Sequence, residues 1–519
     1  MVVYVLTKLK LVCNHNFLKQ TLVKSLLNIN LIWMILLLKK VLILLFTLSN
    51  IFSTIIQAQD LPDFGDPSGS SISPQQLAQI GKRLIRFLRQ KKLLVKDPLV
   101  NQYITSLGYK LVSHSDQANK KFSFFIVNDS NINAFAAPGR YIGINRGLIS
   151  AAQSESELAA VMAHEVAHIT QHHLPRMFAA NKRRGLISTI ALLAVIAAGG
   201  GNRELQKAGL VASIAARMQS SLNFTRHNES EADHVGIKIL TAARFRPDSM
   251  AVFFERLQKD ASLYGSRTPE FLRTHPVTSR RIADARLRIR GLPKLKTNES
   301  LNFALMKVRL AVLSASSSSK ILQKIKKNLK TGYRKNNKAT RYGLVLAYTR
   351  AHQYAKAHSI LKKLLRNDPT RLAYIIADAH IALGRKNSRR VKTLFENILA
   401  LYPNNPAVIH YYTQSLLQLG KYQDALVIVR KFNSKNMGAM TPTLHSLYAR
   451  AAGKMGKIGE AYHQRAEYFY LNGHIKTAIL QLQRAHKQKD IDFYLRSRIM
   501  TRLRQFKSEA KTHGKGKGH

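Results

Sequence analysis

The residues best able to do chemistry are His164-Glu165-Val166-Ala167-His168. On a helix, positions i and i+4 share a face, so both imidazoles can reach one metal ion. Glu165 falls on the neighbouring face, where it can hold a water molecule and take its proton. The flanks support a helix. Ser154 and Glu157 have the spacing of a capping box, which predicts a helix from there to about His173. Leu158, Val161 and Met162 give that helix an apolar face. A catalytic zinc takes three protein ligands and keeps a fourth position open, so the motif needs a further ligand.

His172 continues the i+4 series but cannot supply it. From His164 to His172 the helix axis advances about 12 Å at ~1.5 Å per residue, whereas a Zn–N bond is ~2 Å. The extended metzincin pattern requires Gly at 171 and His at 174, and these are Gln171 and Leu174. A second helix must therefore contribute. Asp and Glu number only 28 in 519 residues, so the run Asn228-Glu229-Ser230-Glu231-Ala232-Asp233 stands out. Glu229 and Asp233 are again i and i+4, and Gly236 follows on the same face. The reading is Glu229 as third ligand, Asp233 as acceptor for a ligand imidazole N–H, and Gly236 as the point where the His helix approaches closely. The alternative is a solvated helix start, where acids are favoured by the helix dipole. For Glu231 that alternative is preferred.

Several elements surround these helices. Lys121 to Asn128 reads as a strand, rich in aromatic and β-branched residues. Pro138-Gly139 marks a turn, and Tyr141 to Ile144 a second strand. The apolar run Leu186 to Ala198, followed by Gly199-Gly200-Gly201, is too short to cross a bilayer, which takes ~20 residues. It reads as a core or lid helix with a glycine hinge, or as a shallow membrane insertion. After Pro293 the chain becomes almost wholly helical. Pro369 and Pro403 lie 34 positions apart, the length of a tetratricopeptide repeat. Gly420…Ala425 recurs as Gly456…Ala461 and Gly473…Ala478, with Gly ending one helix and Ala packing where the next approaches. Such helix pairs stack into a solenoid with a concave binding face, and an irregular bundle is the weaker reading. The fold class is mainly α: an α+β domain carrying the candidate metal site at 75–295, then a helical repeat solenoid at 300–508. The Gly/Lys/His-rich tail at 509–519 reads as disordered.

At the N-terminus, Lys39-Lys40 precede the apolar run Val41 to Ile56, which ends in small and polar residues near Ala58. This is the pattern of a secretory signal, so residues 1–58 are assigned to targeting and 59–74 to a linker. Met34 is a candidate alternative start, and an uncleaved anchor is the alternative to cleavage. The single cysteine, Cys13, excludes an internal disulfide. The net charge of +54 favours acidic partners. Its Lys and Arg residues are spread along the chain, however, and no nucleic-acid module is recognisable, so a nucleic-acid partner is excluded. Peripheral contact with a membrane surface stays open.

His-Glu-x-x-His followed by Glu-x-x-Ala-Asp resembles the minigluzincin metallopeptidases, the group that includes HtpX and the CAAX prenyl proteases. Asn133-Ala134-Phe135-Ala136 with Pro138-Gly139 is similar to the family's strand beside the active-site cleft, and Thr274-His275-Pro276 with Arg281 to its downstream element. The family often has a second Gly where this chain has Arg140. The resemblance covers 75–295 and implies a fold and an activity: a zinc endopeptidase holding one Zn2+ per chain. His164, His168 and Glu229 would be its ligands, Glu165 its general base and Asp233 its orienting acid. Asn133, Ala134, Phe135 and Ala136 would take an extended substrate by strand addition. For His275 three roles stay open: an oxyanion donor, a plug in the fourth metal position, or a structural histidine. With an export signal ahead and repeats behind, the arrangement resembles periplasmic members of this group. These serve outer-membrane protein quality control, with unfolded or misassembled outer-membrane proteins and the barrel-assembly machinery as partners. The rival reading is a chaperone or scaffold with a latent peptidase domain.

Overall fold

The structure, a computed structural model, describes residues 72–181, 226–264, 269–292, 295, 300–330, 338–436, 438 and 440–514. The targeting segment, nearly all of the linker, the run Leu186 to Ala198 with its glycines, and residues 515–519 lie outside the described residues. The first helix, α1 (Pro74–Gln90), opens with a reciprocal cap. The Gln76 N–H donates to Ser73 Oγ and the Ser73 N–H to Gln76 Oε1, with Pro74 at the first helical position. Helix α2 (Pro98–Val112) starts from Asp97, whose carboxylate accepts the Val100 N–H at 3.0 Å.

Three short strands follow: β1 (Ser123–Val127), β2 (Ala134–Ala137) and β3 (Tyr141–Asn145). Their order is β1-β3-β2, with β1 parallel and β2 antiparallel to β3. Gly143 in the central strand lies opposite both Phe125 and Phe135. A Cβ there would meet the Phe135 ring at 2.4 Å, so only glycine lets the two phenyl rings close over the strand. The β2–β3 turn puts Gly139 at φ 79° and Arg140 at φ 62°. Arg140 thus takes up the left-handed backbone that a second glycine would adopt freely, at a cost of about 1–2 kcal/mol.

The remaining helices of this half are α3 (Arg146–Ala151), α4 (Glu155–Thr170), α5 (His173–Asn181), α6 (Arg226–Ala242), α7 (Ser249–Tyr264), α8 (Glu270–Thr274) and α9 (Ser279–Ile289). Helix α4 is the centre of the layer, packed against α2, α6, α7 and β2. Two expectations for it change. Ser154 Oγ does accept the Glu157 N–H, but the Glu157 carboxylate reaches past Ser154 to the Gln153 N–H at 2.6 Å and pairs with Arg256. The helix also stops at Thr170 rather than near His173. His172 is left-handed at φ 54°, and its N–H bonds Ile169 O, so the chain turns before α5 begins.

Beyond residue 300 every described element is a helix, from Leu301–Ser314 to Phe493–Gly514. Gly420, Gly456 and Gly473 end helices at φ 73°, 71° and 81°, and Ala425, Ala461 and Ala478 are buried where the next helix approaches. The fold is mainly α with one small sheet and a helical-repeat second half, as the sequence predicts. The hydrophobic core runs without a break from Leu99, Leu107 and Leu158 into Leu305, Leu310 and Tyr342 of the repeats. Among the described residues no helix is long and apolar enough to cross a membrane.

Candidate active site

Helices α4 and α6 bring the chemistry together because α6 carries glycine where it crosses α4. A Cβ on Gly236 would stand 3.2 Å from the His164 N and 3.3 Å from its Cα. That close crossing sets Glu229 against both histidines of α4. Glu229 Oε2 lies 3.4 Å from His164 Nε2, and Oε1 lies 3.4 Å from His168 Nε2. The two Nε2 atoms are 3.0 Å apart. His275, in the loop after α8, completes the group: its Nδ1 is 3.0 Å from Glu229 Oε1 and 3.3 Å from His164 Nε2. One ligand atom from each of His164, His168, Glu229 and His275 lies within 4.8 Å of the others.

The outer faces of the ligand imidazoles are held as well. His164 Nδ1 stands 3.0 Å from Asp233 Oδ1, which makes Nδ1 the protonated nitrogen and leaves the Nε2 lone pair directed at the cluster. His168 Nδ1 is 2.8 Å from His173 Nδ1, and His173 Nε2 is 3.0 Å from Glu231 Oε2. An ionised Glu231 only accepts, so His173 donates from Nε2 and accepts from His168 Nδ1–H. His168, like His164, therefore turns an Nε2 lone pair inward. Two lone pairs 3.0 Å apart, beside a carboxylate, in a site without solvent exposure, fit a metal ion.

Arg281 supports the acids. Its Nε and Nη2 bond the two oxygens of Asp233 at 2.8 and 2.9 Å, and its Nη1 lies 2.9 Å from Glu229 Oε2. A further bond from Nη1 to Pro276 O ties the His275 loop to the same guanidinium. The Phe271 ring stacks on His275 with centroids 4.9 Å apart.

Electrostatics follow from this geometry. Burial pushes Glu229 up, but His275, His164 and His168 outweigh it and hold the carboxyl well below its usual range. Asp233 is likewise raised by burial and lowered further by His164 and Arg281. Burial alone would lower His164, yet Asp233 and Glu229 bring it up to about 9, so at neutral pH Nε2 carries a proton that a bound cation would displace, while burial keeps His168 well below its ordinary value. Glu165 is fully buried, and burial pushes its carboxyl up. Its near neighbours are His275, whose Nε2 stands 3.5 Å from Oε1, and the backbone N–H of Ala136 in β2, both of which partly offset that burial.

The structure thus gathers His164, Glu165, His168, Glu229, Asp233 and His275 into one place. Asn133, Ala134, Phe135 and Ala136 lie beside it as β2 and its approach, all buried, with β2 packed on α4. Among the described residues β2 pairs through one edge only, with β3. Glu231, expected to be a solvated acid, is instead bonded to His173 and Arg176. His173 was not anticipated, because a continuous helix through residue 173 would have carried it away from His168. Arg281 was visible only as part of a downstream motif, without a role.

A His-Glu-x-x-His helix crossed by an acid-bearing helix around a buried metal site defines a metalloendopeptidase. Residues 98–289 match the model of peptidase family M48. The chain is 32% identical over 450 residues to the β-barrel assembly-enhancing protease of Escherichia coli K12, spanning 87% of this chain and 92% of that protein. It is 28% identical over 454 residues to the Yersinia pestis protein of the same name, spanning 87% and 93%. A mitochondrial metalloendopeptidase of Schizosaccharomyces pombe shares 27% over 180 residues, 35% of this chain and 50% of its own. Among solved structures, a tetratricopeptide repeat protein from Parabacteroides merdae aligns with a TM-score of 0.28 at 12% identity, covering 57% of this chain and 99% of that one. The chain belongs to peptidase family M48, with the β-barrel assembly-enhancing proteases.

Proposed function

We propose that this chain is a zinc-dependent endopeptidase of the periplasm that degrades misfolded or stalled outer-membrane proteins. The observation that carries this reading is the convergence of His164, His168 and Glu229 beside the buried Glu165 carboxylate. One zinc ion held by those three residues would polarise the scissile carbonyl and acidify a water molecule. Glu165, its proton affinity raised by burial, takes the proton from the attacking water and passes it to the leaving amine. Asp233 and the His173–Glu231 pair fix the ligand imidazoles, and Arg281, with His164, keeps Asp233 ionised while also bonding Glu229. The strand Asn133 to Ala136 receives an extended substrate along its free edge. Metal analysis with casein cleavage, comparing the parent with Glu165→Gln, tests this. Stoichiometric zinc in both, with cleavage only in the parent, is expected; zinc without cleavage in either would leave a scaffold.

The latent reading enters here as regulation rather than as a rival. His164, Glu165, His168 and His275 are all 0% exposed, so no peptide reaches the site while His275 occupies it. By this proposal His275 is a plug: it would take the remaining position on a bound ion and be displaced with its loop when a substrate enters. His275→Ala should raise basal casein and self-cleavage with zinc content kept. Loss of turnover with zinc intact would assign His275 to the oxyanion instead.

Residues 75–295 carry the hydrolysis and 300–508 the partner contacts, by our proposal with the barrel-assembly machinery and its stalled clients. The export pattern at 1–58 supports the periplasm, and the name of the relatives supports a part in β-barrel assembly. Because the repeats share the peptidase core, the partner test keeps the chain whole. Phe493 and Tyr494, each 76% exposed, are the aromatic anchors to replace with Ser. Pull-down of the assembly machinery should fall while casein cleavage persists, and an unchanged pull-down would reject this surface.

A further inference from the structure

A cavity of about 500 Å3 lies between the peptidase half and the repeat helices, away from the metal cluster. We propose that it binds the C-terminal end of a protein chain, its free carboxylate on Arg89 and its last apolar side chains against the walls. Ile85, Phe124 and Phe125 form one wall, and Pro406 and Leu444 contribute to the other. Its volume is that of a small-ligand pocket and takes a chain end rather than a folded partner.

The charges in this cavity are one-sided. Arg89, Lys92 and Lys96 line it, and among the described lining residues there is no Asp or Glu. Asp97 is adjacent in sequence, but its carboxylate is already gripped by Arg309 at 2.9 and 2.8 Å. His410 adds no positive charge, since burial brings it down to about 4. Arg89 is the informative group. One helical turn earlier, Arg86 pairs with Glu509. The Arg89 guanidinium meets only the Leu471 carbonyl oxygen, at 3.2 Å, and no carboxylate among the described residues. Burial lowers its pKa, as it does for a cation without a counter-ion. A planar guanidinium left in that state is built to take a carboxylate through two parallel bonds.

A second group narrows the ligand. Gln102 lines both this cavity and a neighbouring one, and its Oε1 is buried with no hydrogen-bond partner among the described residues. A buried acceptor left unpaired costs about 1–3 kcal/mol, so the ligand must bring an N–H. An apolar fatty acid has the carboxylate but no donor. An internal peptide segment has the donor but no charge. A chain terminus has both, with side chains for the apolar walls. The cavity would thus recognise free chain ends and hold them on the same molecule that carries the peptidase site.

The test uses the full-length, zinc-loaded chain carrying Glu165→Gln, so that the probe survives. A fluorescein-labelled peptide, Gly-Ser-Val-Leu-Val-Phe, is titrated as the free acid and as the C-terminal amide by fluorescence anisotropy. The acid should bind about 10-fold or more tighter, the contribution of a charge-assisted bond. Arg89→Gln should bring the acid to the level of the amide, and Arg89→Lys should restore part of the preference. Gln102→Leu should weaken acid and amide alike. The acid-against-amide comparison is made on an unaltered cavity, so it decides even where Arg89→Gln does not fold. Equal affinity for acid and amide, or dodecanoate binding without binding of the peptide acid, would overturn the proposal.

Discussion

Replacing Arg309 with Met should loosen the junction between the peptidase half and the repeats more than any single apolar truncation there. Arg309 lies in the first repeat helix, Leu301–Ser314, and its side chain is 3% exposed. Its guanidinium donates to both oxygens of Asp97, the residue that caps α2, and to the hydroxyls of Tyr342 and Tyr411 at 2.9 Å each. Tyr411 in turn donates to Asp97 Oδ2 at 2.8 Å. Burial pushes Asp97 up, but Arg309 and the Tyr411 hydroxyl outweigh it and keep the carboxyl below its usual range. Without Arg309 a charged carboxylate stays in a site that burial disfavours. Breaking a buried pair in this way costs about 3–5 kcal/mol. The sign with pH is also set. In the parent, Asp97 is depressed, so its contribution is present above the ordinary carboxylate range and is lost as pH falls through its folded value. In the variant burial wins and Asp97 rises, so the deficit should grow from pH 4 to pH 7.

The assay is urea unfolding followed by circular dichroism, read on the transition that releases the junction, since a chain of this size need not unfold in one step. Asp97→Asn alone leaves the Arg309 charge unpaired and should cost a similar amount, although Asn still caps the helix. The double variant removes both charges and should recover most of the loss, giving a coupling of about 2–4 kcal/mol. Single variants within about 1 kcal/mol of the parent, or additive losses in the double, would refute the reasoning.

Three further outcomes are expected. Glu229→Gln should lose zinc and casein cleavage together, whereas Glu231→Gln should keep stoichiometric zinc with an affinity about 10-fold weaker, through His173; chelator competition reads both. Asp233→Asn frees His164 Nδ1 from its acceptor and should weaken zinc about 10–100-fold in the same competition, and unchanged affinity would remove Asp233 from the site. Glu270, brought up to about 7 by burial and the neighbouring Asp129, binds a proton in the folded chain that it releases near 4.5 when unfolded. Stability of the zinc-loaded chain should therefore fall by about 1–2 kcal/mol as pH rises from 4.5 to 7, and Glu270→Gln should flatten that slope.

What could be read from the sequence was whatever local periodicity controls. The i,i+4 spacing alone places His164 with His168 and Glu229 with Asp233, and a chain poor in acids makes the second pair conspicuous. The three Gly-to-Ala repeats are also local: each Gly needs a left-handed turn and each Ala a close helix approach, and the structure has both. The contacts that stayed hidden depend on where chains cross. Arg281 reaches Asp233 over 48 residues, and Arg309 reaches Asp97 over 212. His173 serves His168 only because His172 takes a left-handed backbone and breaks the helix between them. A histidine carries no mark of such a turn, as a glycine would.

On the proposed function, burial does two opposed things at this site, and a moving part would reconcile them. Removing Glu165 from water raises its affinity for a proton, which is what a base in hydrolysis needs. Removing the whole cluster from water also shuts out the peptide. Arg281 meets that conflict at one point, because the guanidinium that bonds Glu229 and Asp233 also holds Pro276 O. The loop bearing His275 is therefore fastened to the metal-site acids rather than to the surface. Moving His275 out would break its Nδ1 contact with Glu229, the Arg281 bond to Pro276 O and the Phe271 stack, while the Arg281 bonds to Asp233 stay in place. On the proposed reading of His275 as a plug, it would leave while Asp233 keeps its hold on His164.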